Sequence, residues 1–240
     1  MNDTLAVIIP VYNEEEAIAL VLRKWASVLG SLQIDYLIHA YNDGSRDKSL
    51  EVLNEVAREN TRICVHDKKN SGHGPTILQG YRENCDSSTW LFQMDSDDEM
   101  GPESFPLLWE KRSQYDFLLG QRDGRFQPLS RKVISFISRL CVKTFYGSGV
   151  WDVNSPYRLM RSECFKGLLK RIPADTFAPN VIISGFVNKK KLRYFECPVP
   201  HTDRKTGCVS IKKWKLLKAA LRSFKQTVMF SFNRFEPSRD

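Results

Sequence analysis

The chain has no uninterrupted apolar run of about 18 residues, the length a spanning helix needs, so nothing in it predicts a membrane-crossing segment. Histidine is scarce, with four residues in 240. His39, His66, His73 and His201 show no ligand spacing. The six cysteines, Cys64, Cys85, Cys141, Cys164, Cys197 and Cys208, never form a C-x-x-C pair. Their scatter argues against a zinc site or a disulfide framework, and for reduced thiols in the cytosol. Internal repeats and low-complexity stretches are missing as well, which excludes repeat arrays. The first ten residues lack a basic segment followed by a long apolar one, and they read as a strand rather than a secretory leader.

Several chemical signatures are also absent. No G-x-G-x-x-G follows the first apolar run, which disfavours a nicotinamide or flavin dinucleotide. No G-x-x-x-x-G-K-[ST] occurs, which excludes a P-loop NTPase. No G-x-S-x-G elbow occurs, which argues against a serine hydrolase. The phosphates of a bound nucleotide must then be held by other means, and a metal ion is the natural candidate.

What is present is an ordinary globular composition, 42% hydrophobic and 27% charged, with room for one large domain or two small ones. The formal net charge of +8 is unevenly spread. Residues 188–240 hold 14 Lys and Arg against 4 Asp and Glu, while the remainder holds 22 against 24. A cationic end of this kind suits an anionic surface, membrane or nucleic acid. A merely solvated basic helix is the plainer reading.

Short apolar runs alternate with amphipathic ones. Leu5–Val11, Tyr36–Tyr41, Arg62–His66, Thr89–Met94 and Phe117–Gly120 read as strands. Ile18, Val21, Leu22, Trp25, Val28 and Leu29 recur at helical spacing, with Asn13 and Glu16 as the expected cap. Asp47 is expected to cap the next helix, and Gly44 to serve turn geometry. Pro75 suits the first turn of a helix running to about Asn84. This alternation predicts an α/β fold with a single, mostly parallel sheet and helices on both faces. Ligands of such sheets sit beyond the carboxyl ends of the strands.

The richest of these ends is Asp95-Ser96-Asp97-Asp98-Glu99. Alternate carboxylates leaving a strand suit Mg²⁺ or Mn²⁺, hard ions that take substrate phosphates as further ligands. An EF-hand fails because Asp98 breaks its spacing and Pro106 stands where its last glutamate belongs. An acidic turn favoured by a following helix dipole is the bland alternative.

Taken together, Val7-Ile8-Ile9-Pro10-Val11-Tyr12-Asn13-Glu14, Asn42-Asp43-Gly44-Ser45-Arg46-Asp47, Asn70-Ser71-Gly72 and Asp95-Ser96-Asp97 resemble a family 2 glycosyltransferase of the GT-A fold. The resemblance implies that Pro10, Tyr12 and Glu14 flank a donor nucleotide. It further implies that Asp43 accepts from the base, Asp95 lies near base or ribose, and Asp97 meets the metal, with Glu99 as a second ligand. Asp152–Arg161 is similar to a segment of the polyprenyl-phosphate group, with Pro156-Tyr157 where Gly-Phe is usual. His201–Ser210 is similar to that group's closing loop, with one extra residue. On this likeness Arg122 and Arg131 hold an acceptor phosphate, with Arg125 in the same loop, and Arg204 reaches the donor diphosphate.

The activity so implied is inverting transfer from a UDP- or GDP-linked sugar to an undecaprenyl or dolichyl phosphate at the cytosolic membrane face. A lipid phosphate is already ionised and needs no base. A sugar hydroxyl would need one, and Asp152 is the candidate for that rival acceptor. An idle nucleotide-sugar or nucleic-acid binding module is the other rival. Nucleic acid is not expected as a partner, because no aromatic stacking platform is evident.

The division expected is a catalytic domain over 1–210, with a nucleotide-sugar half to 125 and an acceptor half from 126, followed by a C-terminal helix and tail over 211–240. In that helix Ile211, Trp214, Leu217, Leu221, Phe224 and Val228 form an apolar stripe among lysines and arginines. A basic amphipathic helix of this kind suits peripheral attachment to an anionic membrane. The alternative is a helix packed on the catalytic domain, with its lysines solvated.

Overall fold

β1 (Thr4–Val11) is buried along its whole length after Thr4, as a strand covered on both faces must be. It pairs in parallel with β2 (Asp35–Asp43) on one side and with β4 (Trp90–Gln93) on the other. β3 (Ile63–Lys68) extends the sheet beyond β2. The computed structural model describes residues 3–123, 129–202 and 213–232, with 129–137 and 213–220 as helical backbone alone.

Beyond β4 come two strands that hydrophobic patterning did not single out. β6 (Arg158–Arg161) lies antiparallel between β4 and β5 (Phe117–Asp123), and β7 (Tyr194–Pro200) runs parallel to β5 at the far edge. The order is β3-β2-β1-β4-β6-β5-β7. Only β6 is reversed, so the expectation of a mostly parallel sheet holds.

Helices cover both faces. On one side α1 (Ile18–Ser31), α2 (Ser49–Glu59) and α4 (Phe105–Lys111) pack a core in which Trp25 meets Phe92, Phe105 and Tyr157. On the other side α3 (His73–Asn84), α5 (Leu129–Tyr146), α6 (Ser162–Arg171) and α7 (Pro179–Lys190) pack a second core around Ile8, Phe117 and Phe165. α3 approaches β1 so closely that Gly80 has no room for a side chain. A Cβ there would stand 2.6 Å from Ile8 Cγ2 and 3.0 Å from Tyr41 Cε2.

One local expectation is corrected. Asn13 does not cap α1, which begins at Ile18 with no side-chain cap. Asn13 instead takes a left-handed conformation, φ 56°, and its Oδ1 accepts from Arg46 N at 2.8 Å. That bond joins the loop after β1 to the loop after β2. Asp47 does serve the start of α2, accepting from Ser49 N and Ser49 Oγ.

α8 (Lys213–Ser231) lies against α5 and α7. Its inward contacts are largely polar. Thr227 and Ser231 are buried with Phe230, Tyr146 Oη donates to Thr227 O, and Lys189 Nζ donates to Ser231 O. Leu221, Phe224 and Met229 are exposed, as is Phe232 just beyond the helix. In the described half, therefore, the helix is packed on the domain as the second reading expected, but through Thr227, Phe230 and Ser231, while Leu221 and Phe224 of the apolar stripe face outward. The side chains of Ile211, Trp214 and Leu217 lie outside the described residues. No helix among the described residues is long and apolar enough to cross a membrane.

The packing yields a paired prediction. Gly80→Ala should lower stability by about 1–3 kcal/mol through overpacking. Gly30→Ala, with nothing within 4 Å of its added Cβ, should raise stability by up to about 1 kcal/mol through helix propensity. Urea denaturation midpoints of the two variants should move in opposite directions.

Candidate active site

The carboxyl ends of the parallel strands deliver side chains to one cleft of about 680 Å³. Pro10 comes from β1, Tyr12 and Glu14 from the turn after it, and Asp43 from the last position of β2. Asp95, Asp97 and Glu99 come from the turn after β4, and Arg122 from β5. These eight residues, singled out in sequence from separate segments, line the same wall-to-wall space. Asp152 is brought against Arg122. The side chains of Arg125 and Arg131, and Arg204 as a whole, lie outside the described residues.

Asp43 sits in a cage of donors. Its Oδ1 accepts from Lys68 Nζ at 2.5 Å and Ser71 N at 2.8 Å, and its Oδ2 accepts from Gly72 N at 2.8 Å. Burial alone would raise its pKa, but the Lys68 ammonium and these amides hold the carboxyl below its ordinary range. Gly44 follows with φ 66°, and a Cβ on it would meet Asn70 N at 2.8 Å. The turn-geometry role expected of it is the one it has.

The acidic turn is divided in its duties. Asp98 takes φ 56° and binds Lys24 Nζ of α1 at 2.6 Å, so it anchors the turn. Asp95 Oδ1 meets His73 Nε2 at 3.0 Å, at the start of α3. Burial disfavours charge on both groups, yet their contact wins, holding the Asp95 carboxyl low and raising the His73 imidazole. Glu99 Oε2 meets His201 Nε2 at 2.8 Å, which ties the turn to the end of β7.

These donors fit a divalent ion. Asp97 and Glu99 both line the cleft. His201 also lines it, and its buried Nδ1 has no hydrogen-bond partner among the described residues. Among the described residues no three Asp, Glu, His or Cys side chains form a ready-made ion cage. Mg²⁺ and Mn²⁺ are commonly held by one or two carboxylates, with waters and substrate phosphates completing the shell.

At the other end of the cleft, Arg122 Nε and Nη2 each donate to Asp152 at 2.9 Å. Burial would raise the Asp152 carboxyl, but the guanidinium fork holds it low. Arg122 itself is raised by the same pairing, against the cost of burial. Its Nη1 has no hydrogen-bond partner among the described residues.

Sequence reasoning passed over His73, His201, Lys68 and Asn180, all at or behind the cleft. For His73 a signal existed, its place directly after Asn70-Ser71-Gly72 and before Pro75. For His201 only the fold brings β7 to the acidic turn.

Residues 6–170 match the family model for glycosyl transferase family 2. The chain is 29% identical over 216 residues to the undecaprenyl-phosphate 4-deoxy-4-formamido-L-arabinose transferase of Photorhabdus laumondii, which covers 89% of this chain and 64% of that protein. It is 29% identical over 218 residues to the protein of the same name from Pseudomonas paraeruginosa, covering 90% and 62%. The chain thus spans less than two thirds of the length of these curated relatives. Among solved structures, it is similar to glucosyl-3-phosphoglycerate synthase from Mycobacterium tuberculosis in complex with Mn²⁺, uridine diphosphate and phosphoglyceric acid. That match has TM-score 0.70 and 13% identity over 97% of this chain and 80% of that one. Mannosyl-3-phosphoglycerate synthase from Rubrobacter xylanophilus matches with TM-score 0.67 and 11% identity, over 95% and 74%. At such identities the likeness carries the fold.

The caged carboxylate gives a prediction. Asp43→Asn should cost about 1.5–3 kcal/mol at neutral pH, the scale of a lost charge-assisted bond at a buried site. Because the folded carboxyl is held below its ordinary range, its stabilisation is complete above that range and lost as pH falls beneath it. Denaturation of the two proteins from pH 7 downward should show the gap closing below about pH 4.

Proposed function

The chain belongs to glycosyl transferase family 2 and has the GT-A fold, and we propose that it moves a sugar, with inversion, from a nucleotide sugar to a polyprenyl phosphate. The observation that carries this reading is the division of the cleft. Its donor half gathers Asp43, Asp95, Asp97 and Glu99, while its other half presents Arg122, which is hydrogen-bonded to Asp152 and lies within electrostatic reach of Asp95 and Glu99.

In this reading the base lies against Pro10 and Tyr12, with Asp43 and Lys68 at its edge and Glu14 beside it. A carboxylate and an ammonium together can address uracil or guanine, each of which has N–H and carbonyl groups. Asp97 and Glu99 hold a divalent ion. Held there, such an ion would offset negative charge on the donor diphosphate.

The chain's own residues supply the rest. The acceptor phosphate oxygen forms a bond to the anomeric carbon as the bond from that carbon to the diphosphate breaks. The leaving nucleoside diphosphate keeps the electron pair. No proton moves, so no base is needed. Arg122 Nη1, with Arg131, holds the acceptor phosphate, and Arg204 reaches the diphosphate. Arginine's planar fork suits phosphate oxygens.

The rival acceptor, a sugar hydroxyl of a glycan or a lipid-linked saccharide, would need Asp152 as base. A carboxylate gripped at both oxygens by a guanidinium and held low is a weak proton acceptor. The names of the undecaprenyl-phosphate transferases at 29% identity favour the phosphate as well.

A membrane-borne acceptor calls for peripheral attachment at the cytosolic membrane face. α8 supports this, with Leu221 at 63% exposure and Met229 at 62% on its outward side, near Arg222 and Lys225. An anionic leaflet matches both the apolar and the basic components.

Two experiments test these readings. Asp97→Ala should abolish transfer of sugar from UDP- and GDP-linked donors to undecaprenyl phosphate. Chelation should do the same to the wild type, and Mn²⁺ should restore it. Full turnover by the chelated enzyme would overturn the metal role. Separately, the double variant Leu221→Ser, Phe224→Ser should lose flotation with anionic liposomes. Each buried side chain is worth about 1.5–3 kcal/mol, so partition should fall at least about tenfold. The melting temperature should stay unchanged because both residues face outward. Unchanged flotation would overturn the membrane face.

A further inference from the structure

Arg158, the first residue of β6, is fully buried. Its guanidinium donates only to backbone carbonyls. Nε and Nη2 reach Ser155 O at 2.9 and 2.5 Å, Nη2 also reaches Val153 O at 3.3 Å, and Nη1 reaches Asn180 O at 3.1 Å. The group lies 5.8 Å from the centre of the Phe117 ring. No carboxylate among the described residues is within ion-pair distance of it. Arg23, Arg112, Arg122, Arg193 and Arg222 all have such a partner. Burial draws the Arg158 pKa down to about 10, which leaves it charged at neutral pH.

A buried cation with no contacting counter-charge is costly, Asp152 and Asp95 favouring its charge only from beyond contact, and a chain that needed only packing would place an apolar side chain here. The position explains the cost. Val153 and Ser155 flank Asn154, and Asn154 lines the cleft together with Pro156 and Asn180. Arg158 is therefore the layer behind that wall. In the sheet it pairs in register with Gln93, two residues before Asp95. The carbonyls satisfy its donors without cancelling its charge. Through a dry protein wall that charge is poorly screened.

We propose that Arg158 is a positioning residue for phosphoanions, a fixed positive charge beneath the point where donor diphosphate and acceptor phosphate meet. This rests on the reading of the cleft as a nucleotide-sugar site. It supplies what the surface of the cleft lacks. The donor half is acidic, and Arg122 is largely offset by Asp152, whereas Arg158 has no contacting acid. It also accounts for arginine rather than lysine. A planar fork can meet three carbonyls from two segments and still leave the charge whole.

The alternative is a neutral clamp in which only the hydrogen bonds matter. Calorimetric titration of the full chain with magnesium pyrophosphate, together with melting temperatures, separates the two. Arg158→Lys keeps the charge and loses the fork, so it should melt lower yet bind pyrophosphate within about threefold of wild type. Arg158→Gln keeps some donors and loses the charge, so it should bind at least about tenfold more weakly. Equal binding by wild type and both variants overturns the proposal. So does equal loss in both variants. If the glutamine variant does not fold, Arg158→Met serves as the uncharged variant: affinity lost in it and kept in the lysine variant supports the charge, and affinity kept in both or lost in both overturns it. A wild type that binds no pyrophosphate overturns the nucleotide-sugar reading of the cleft along with this proposal.

Discussion

The pairing of β1 on both of its edges is the constraint from which the site follows. With β2 on one side and β4 on the other, all three parallel, their carboxyl ends come to the same rim. Three turns that are distant in sequence thereby meet. The Asn13 to Arg46 bond then locks two of them together, and the Lys24 to Asp98 pair locks the third to α1. The cleft's acidic half is thus held by the sheet and by two tethers outside the cleft. Its carboxylates can sit close to one another because other parts of the chain hold them there.

Electrostatics divides that space. Three carboxylates at the rim have each been given a different neighbour: Lys68 for Asp43, His73 for Asp95 and His201 for Glu99. The Lys68 and His73 pairings hold their carboxylates low, which eases the repulsion among acids that converge on one cleft. The arginines stand opposite or behind. A ligand with its own negative groups therefore meets a graded field rather than a uniform one.

How much of this was legible in the sequence depended on the kind of signal. Long apolar strands such as Leu5–Val11 announce themselves because burial on both faces leaves no room for polar residues. The positions at the ends of those strands were legible for the same reason, and eight of the nine candidate site residues that are described line the cleft, the exception being Asp152, which lies behind Arg122. β6 was hidden because a four-residue strand that opens and closes on arginine has no apolar run. β7 was hidden by its place at the sheet edge, where Glu196, Pro198 and Pro200 interrupt the pattern. Asn13 looked like a cap because its spacing to Glu16 fits one. Its left-handed backbone and its partner across the loop depend on tertiary contacts that no local pattern carries. The orientation of α8 was equally out of reach, since periodicity identifies a stripe but not which side of the helix meets the protein.

The reversal of β6 has one more consequence. A strand that runs against its neighbours presents its beginning, not its end, to the rim where the others finish. The wall at 153–156 is consequently built by chain arriving at the sheet, whereas the acidic wall is built by chain leaving it. The two walls belong to separate stretches, joined through α5 and the segment around it. Lengthening or reshaping that stretch alters one wall and leaves the pairing register of β1, β2 and β4 untouched. The architecture is modular in this sense: one half of the cleft can be re-cut for a different molecule while the other keeps its chemistry.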